Sequence, residues 1–398
     1  MPRPVSEVRL LEGSERFLKS RAYTIYSKWV NGDPSLGVGE YVRVLYRGEL
    51  VGYGFYEKIG AVGLRLLAYV GEDPPEDLEE LIAWRLEAAL ARRKMSRESE
   101  ESGYRLVYAD SDGMPGLVVD VYNDVAVVQS TSWGWDKHAE LLARSLVEVT
   151  GCRRVYLKND QRARKTFGMP IFSGFLMGEG PPETVIIEGS ARFLVDLARG
   201  HKTGFYLDQR EARLRLSRMK LDGMSVLDLF SYTGAFAIHA LLAGASHAVM
   251  VEEDLDALEV MQRNLAMNGL EGRGMPLRAR VERFLDSLVA KRRKFDVVIA
   301  DPPAFIPSRA HRERGLMAYR RLYEGVLKVT ERGGLVYASS CSYFLKRSEL
   351  LEVLDEAASE LGVQLRVIYE HAPINATPWT RLRDAELRYL KGFILQVE

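Results

Sequence analysis

From residue 200 onward, short apolar runs alternate with stretches of helical periodicity, a pattern that few architectures accept. Strands are expected at residues 226–230, 248–252, 295–300, 335–339, 363–369 and 389–397, with helices at 235–243, 255–267, 316–329 and 350–361. Such alternation implies a mostly parallel sheet covered by helices on both faces, an α/β fold. In such sheets ligands bind beyond the carboxyl ends of the strands, where the strand order reverses.

The first of these strands ends in Asp228-Leu229-Phe230 and runs into Ser231-Tyr232-Thr233-Gly234, and the second ends at Glu252. A carboxylate at the second strand's tip can accept both hydroxyls of a ribose, so turn and acid together suggest an adenosine cofactor. A dinucleotide asks for Gly-x-Gly-x-x-Gly, so that the backbone can approach a pyrophosphate. This loop has one glycine, Gly234. S-adenosylmethionine carries no phosphate and needs only a tight turn and a polar grip, so the sequence favours it over NAD. Asp228 alone also reads as a helix N-cap or a loop acid; its spacing to Glu252 joins the two into one site.

Two later strand ends carry reactive groups. Residues 295–300 lead into Asp301-Pro302-Pro303-Ala304-Phe305, where an acid followed by two prolines makes a rigid, extended lip for a planar base. The next strand leads into Ser339-Ser340-Cys341-Ser342. Consecutive strand ends direct Asp301 and Cys341 toward one pocket. A buried thiol is usually a small hydrophobe, and Cys152, behind Gly151 at an expected helix end, is read that way. Cys341 differs in lying past a strand end among serines, where partial exposure and support as thiolate would make it a nucleophile.

The rest of the chain divides into two further regions, giving expected domains at 1–72, 73–199 and 200–398. Residues 1–70 read as a small β domain, with a hairpin around Arg47-Gly48-Glu49, and Asp73-Pro74-Pro75 then breaks the chain. A helix at 76–99, strands at 104–109, 117–122 and 125–130, a helix at 137–150 and a strand at 154–157 make an α+β middle domain. Strand-forming stretches at 184–188 and 191–195 lead toward Gly200.

Two cysteines among 398 residues exclude a disulfide scaffold or a cysteine-based zinc site, and six scattered histidines offer no metal-ligand spacing. No run of 18 apolar residues suggests a membrane span, and the charged N-terminus is unlike a signal peptide, so a cytoplasmic protein is expected. Arginine outnumbers lysine 41 to 14, and Asn and Gln number only six each. That fits either a thermophilic source or codon bias in a GC-rich genome. The net charge of zero conceals an uneven distribution. Residues 153–165 (RRVYLKNDQRARK) carry six cations, Arg153, Arg154, Lys158, Arg162, Arg164 and Lys165, against one acid. Such a run is either solvated surface or an RNA-facing patch.

Taken together, HKTGFYLDQR at 201–210, DLFSYTGAF at 228–236, DPPAF at 301–305 and SSCS at 339–342 resemble the class I methyltransferases that make 5-methylcytosine in ribosomal RNA. The resemblance is to the branch typified by the large-subunit rRNA cytosine methyltransferase I and covers nearly the whole chain. It implies a C-terminal Rossmann-like methyltransferase domain, an N-terminal PUA-like RNA-binding domain, and a middle domain whose family motif is matched by DGMPGLVVD at 112–120. It implies an RNA partner, with ribosomal RNA first, and is compatible with a homodimer. By resemblance Cys341 is the nucleophile that adds to carbon 6 of cytosine, and Asp301 hydrogen-bonds the ring nitrogen. Gln209 and Arg210 join Asp228, Phe230, Ser231, Tyr232, Thr233, Gly234, Glu252 and Asp301 in the cofactor site. The family's adenine-contacting acid is assigned to Glu282, although Arg283 occupies its usual place before Phe284. The family's tail Asp-His-Pro is absent, and Asn375-Ala376-Thr377-Pro378-Trp379 stands thereabouts. Relatives also place a second Cys in the proline motif; here Asp301-Pro302-Pro303 leaves the base for the carbon-5 proton unassigned.

Three other readings compete. Methylation of an exocyclic amine such as guanine N2 uses the same acid-Pro-Pro lip without a thiol. Formation of 5-methyluridine needs a thiolate, but that family follows its Cys with Asn-Pro, whereas Ser342-Tyr343 follows here. An RNA-binding assembly factor with a relic domain would have no reason to keep Asp228, Glu252, Asp301 and Cys341.

Overall fold

The computed structural model describes residue 4 and residues 6–96, 102–371 and 389–398. They divide into two compact units: residues up to 186 with 195–207, and residues 187–194 with 208–371 and 389–398.

The first unit contains a six-stranded sheet of Ser6–Leu10, Thr24–Tyr26, Val30–Gly32, Glu40–Tyr46, Glu49–Tyr56 and Val62–Tyr69. Its hairpin pairs Tyr46 with Glu49. Arg47 and Gly48, at φ 52° and 85°, supply the left-handed pair that a two-residue turn requires. A five-stranded sheet runs in spatial order through Gly103–Tyr108, Leu117–Tyr122, Val125–Ser130, Arg154–Asn159 and Phe172–Met177. Helix Ala139–Thr150 connects the third and fourth strands, which are parallel. Leu81, Ile82 and Leu86 of helix Leu78–Ser96 pack with Leu106, Val119 and Val128 of this sheet, and with Tyr53 and Phe55 of the first.

The second unit holds a seven-stranded sheet: β1 (Ser225–Leu229), β2 (His247–Glu252), β3 (Gly274–Arg278), β4 (Phe295–Ala300), β5 (Thr330–Ser340), β6 (Leu365–His371) and β7 (Lys391–Val397). Their spatial order is β3-β2-β1-β4-β5-β7-β6. β1 to β5 are parallel, and β7 lies antiparallel between β5 and β6. The connecting helices are α1 (Ala235–Leu242), α2 (Leu255–Met267), α3 (Val281–Ala290), α4 (Arg312–Lys328) and α5 (Arg347–Leu361). Leu227, Leu229, Val298, Ala300, Val336 and Ala338 from the strands share a core with Leu285, Tyr323, Val326, Leu350 and Leu354 from α3 to α5. The order reverses between β1 and β4, so their carboxyl ends, with that of neighbouring β5, flank the crevice where such sheets bind ligands.

The expected elements of this half are all present, with β5 longer than its apolar run. Three more went unread: helix Arg210–Ser217, β3 and α3. β3 (GMPLR) contains Pro276, which argues against a strand but is tolerated at a sheet edge, where β3 lies. In the first unit helix Arg162–Thr166 and edge strand Phe172–Met177 were also unread. Residues 97–99 of the expected helix and the segment Asn375–Trp379 lie outside the described residues.

Candidate active site

Beyond β1 the chain turns sharply, with Phe230 and Tyr232 at φ 59° and 49° and Gly234 at 84°. Two non-glycine residues in the left-handed region are costly and mark a functional turn. At Gly234 a side chain is excluded twice over, since a Cβ would lie 2.3 Å from Met250 Cε. The turn is held from three sides. Ser231 N–H donates to the Val251 carbonyl at 3.0 Å, and Tyr232 N–H to Glu252 Oε2 at 2.8 Å. Asn264 of α2 donates to the Thr233 carbonyl at 3.0 Å and accepts Leu194 N–H at 2.7 Å.

Glu252, expected to grip a ribose, is engaged by the backbone. Its Oε1 also accepts Glu253 N–H at 2.8 Å and Asp254 N–H at 3.0 Å. A carboxylate offers about four lone-pair sites, so roughly one remains for a ligand hydroxyl. Asp228 Oδ2 accepts Ala237 N–H in the first turn of α1 at 3.2 Å, while the N-cap position itself is held by Gly234. Burial, reinforced by the charges of Asp301 and Glu252, pushes its carboxyl up to about 7. Thr233 is buried, and its hydroxyl has no hydrogen-bond partner among the described residues.

Asp301 directly follows β4 and is half-buried. Burial pushes its carboxyl up to about 6 and the Asp208 charge adds to this, against hydrogen bonds from Ser339 and Gln209 that favour ionisation. Gln209 is itself buried and accepts Tyr337 O–H at 2.6 Å. It is thus a bridge that fixes Asp301. Arg210 is buried too, with Nε 3.3 Å from Glu188, and Glu188 is also bonded by Arg213 at 2.6 and 2.7 Å and lies 3.0 Å from His239. Burial alone would raise the Glu188 carboxyl, but the Arg213 guanidinium holds it well below the usual range. The Arg210 guanidinium thus joins this buried ion cluster.

Cys341 follows β5, half-buried, with Sγ 3.9 Å from the Pro302 carbonyl, so the two strand ends do meet. Tyr319 of α4 hydrogen-bonds both flanking serines, Ser340 at 2.7 Å and Ser342 at 2.8 Å. Ile306 N–H donates to Ser342 Oγ at 3.2 Å, tying the lip to the thiol's turn. Lys391 Nζ donates to the carbonyls of Ser342 at 2.6 Å and Leu345 at 2.7 Å. Sequence reading missed Tyr319, Asn264 and Lys391.

Glu282 lies in the first turn of α3, exposed, just past the carboxyl end of β3. The cationic run divides. Arg153, Arg162 and Lys165 are exposed. Lys158 and Arg164, in contrast, are buried: Lys158 bonds Asp160 and the Ala198 carbonyl, each at 2.9 Å, while Arg164 bonds Asp136 and the Ser130 carbonyl. Arg154 is bonded to Asp124 and the Pro181 carbonyl. The continuous RNA-facing patch is corrected accordingly, because three of its six cations serve the fold. Cys152 is buried as expected. The middle-domain motif is structural at both ends: Asp112 pairs with Arg93, and Asp120 with Arg105 at 2.8 and 2.9 Å and with Thr203 of the 201–210 motif at 2.6 Å.

Among the described residues, no group of three or more His, Cys, Asp or Glu is arranged to hold a metal ion, and no helix is long and apolar enough to cross a membrane. The sequence model of the S-adenosylmethionine-dependent methyltransferase family matches residues 159–367, more than half of the chain. The chain belongs to the S-adenosylmethionine-dependent methyltransferases. This methyltransferase is 32% identical over 397 residues to the Ribosomal RNA large subunit methyltransferase I of Shewanella amazonensis, covering 98% of this chain and 99% of that one. It is 30% identical over 398 residues to the protein of the same name from Vibrio cholerae, with the same coverage. Among solved structures it resembles SMU.776, a methyltransferase complexed with SAH, at a TM-score of 0.79 and 20% identity, covering 98% of this chain and all of that one.

The methyltransferase's strand-tip loop suits its cofactor. The unpartnered Thr233 hydroxyl and the remaining acceptor capacity of Glu252 offer a polar grip, and residues 230–234 carry no cation for a phosphate. The acidic tips Asp228, Glu252 and Asp301 complement a ligand whose sulfonium and ammonium are positive. When bound, S-adenosylmethionine supplies an electrophilic methyl group.

Proposed function

We propose that this methyltransferase acts on ribosomal RNA of the large subunit and forms 5-methylcytosine, with Cys341 as nucleophile. The observation that carries this reading is the half-buried Cys341 thiol set against the Pro302 carbonyl, one strand end from Asp301. Carbon 5 of cytosine is too weak a nucleophile to accept a methyl group directly. Addition of the Cys341 thiolate to carbon 6 gives carbon 5 enamine character. Asp301, with its carboxyl near 6, can share a proton with ring nitrogen 3 and stabilise the adduct. Once carbon 5 carries the methyl group, loss of its proton expels the thiolate. The full-length similarity to proteins named Ribosomal RNA large subunit methyltransferase I supports the RNA class. Residues 1–72 are taken as a PUA-like RNA-binding module, and exposed Arg153, Arg162 and Lys165 as phosphate contacts.

The acid-Pro-Pro lip would equally serve an exocyclic amine; the thiol is what favours cytosine. Incubating the protein with ribosomal RNA and methyl-labelled S-adenosylmethionine, then digesting the RNA to nucleosides, tests the product. The label is expected in 5-methylcytidine, and label in N2-methylguanosine overturns the reading.

A further inference from the structure

Lys391 has no role in the reading above, yet it is built into the turn that carries the thiol. It opens β7 and lies directly across from Ser340, the last residue of β5 and the neighbour of Cys341. Its ammonium reaches past that register to bind the carbonyls of Ser342 at 2.6 Å and Leu345 at 2.7 Å. Two short bonds to the Ser342 and Leu345 carbonyls of one turn are a clamp, and they hold a positive charge beside the chain segment that presents Sγ. Resting on the assignment of Cys341 as nucleophile, we propose that Lys391 is a positioning residue that fixes the Cys341 turn and supports the thiol as thiolate.

The electrostatics agree with the geometry. Burial lowers the Lys391 ammonium to about 8, while the negative charges of Cys341 and Glu349 act in the opposite direction. The interaction between two titrating sites is mutual, so the attraction that favours the ammonium also favours the thiolate. Near pH 7 a lysine titrating at about 8 is still mostly charged. Among the described residues, the other titratable groups facing this region are Tyr319 and Tyr323 from α4, Glu349 from α5 and Asp301 at the tip of β4. Both tyrosines are pushed up by burial and stay neutral. Among the described residues Lys391 is thus the cation that acts on the thiol, and Glu349 sustains its charge. A helix N-terminus or a histidine commonly plays this part for reactive thiols.

Because the chain has two cysteines, a Cys152→Ala background leaves Cys341 as the sole thiol. The rate of alkylation by iodoacetamide, measured against pH, then reports its titration without RNA or methyl transfer. In Lys391→Met and Lys391→Gln the profile should move to higher pH, with alkylation near neutrality slowed about 5- to 10-fold and the limiting rate at high pH retained. Lys391→Arg should keep the original profile. Glu349→Gln, which removes an acid that sustains the Lys391 ammonium, should likewise move it to higher pH, and this variant tests the idea should the Lys391 variants fail to fold. Melting and S-adenosylmethionine affinity verify folding in each. Superimposable profiles in Lys391→Gln, or in Glu349→Gln where the lysine variants do not fold, overturn the proposal. The nucleophile assignment stands or falls separately, on covalent trapping of RNA.

Discussion

The carboxylate of Glu252 accepts the backbone N–H of Tyr232 at 2.8 Å, so the acid at the tip of β2 shapes the turn beyond β1. A single side chain thereby joins two strand ends into one binding edge. Loss of Glu252 removes the support of a turn that holds two non-glycine residues at positive φ, beside the ligand contact proposed for it.

Glu252→Ala should therefore weaken S-adenosylmethionine binding by roughly 1.5–3 kcal/mol, the range of a charge-assisted hydrogen bond. Glu252→Gln, which can still accept from Tyr232, should lose less. Titration calorimetry of both variants checks the order, and equal affinity to the unaltered protein would place the ribose elsewhere.

Cofactor binding should be coupled to protons. The carboxyls of Asp228 and Asp301 sit near 7 and 6 through burial, and a cationic ligand favours their ionised forms. Affinity is expected to weaken as pH falls through about 7 and then about 6, with proton release in calorimetry across buffers of different ionisation enthalpy. For the ligand-free protein the sign is also fixed. A folded-state value above the ordinary carboxylate value of about 3.9 means that stability declines as pH rises from about 4 through about 7. Asp228→Asn should remove most of that decline, as read by thermal melting.

Tyr319→Phe deletes the hydroxyl that joins Ser340 and Ser342 around the thiol. Two buried hydrogen bonds at about 0.5–1.5 kcal/mol each set the expected loss of stability. Turnover should fall while S-adenosylmethionine affinity stays within about twofold, because the proposed mechanism puts this turn on the side of the base rather than of the cofactor. A parallel loss of affinity would contradict that separation.

Charge reversal should divide the cationic run into two classes. Arg153, Arg162 and Lys165 changed to Glu should weaken RNA binding and flatten its dependence on salt. Arg164→Ala should instead destabilise the fold by about 3–5 kcal/mol, since it leaves the buried face of Asp136 unpaired. Filter binding and denaturant titration distinguish the two outcomes.

Much of this fold is legible in the amino-acid sequence. Helical periodicity and strand runs located most of the C-terminal elements, because buried parallel strands are nearly continuous in apolar residues. β3 escaped because Pro276 and its edge position leave little periodic signal. The acids at strand tips and Cys341 were legible from their place after apolar runs. Their partners were not: Tyr319, Asn264 and Lys391 reach the site from elements far along the chain, and such tertiary pairings leave no local pattern. Arg164 and Lys158 illustrate the converse, since a charge run cannot reveal which of its members turn inward.

The nucleophile assignment is tested most directly with RNA carrying 5-fluorocytosine at the target position. Fluorine cannot leave as the carbon-5 proton does, so after addition and methylation the adduct should stall with Cys341 bonded to carbon 6. A denaturing gel should then show a protein–RNA band that requires S-adenosylmethionine, persists in Cys152→Ala and is lost in Cys341→Ala. Cys341→Ala should also lose turnover while still binding the cofactor. A Cys341→Ala protein that still methylates RNA, with no trapped band from the unaltered protein, would contradict thiolate addition and leave amine methylation in its place.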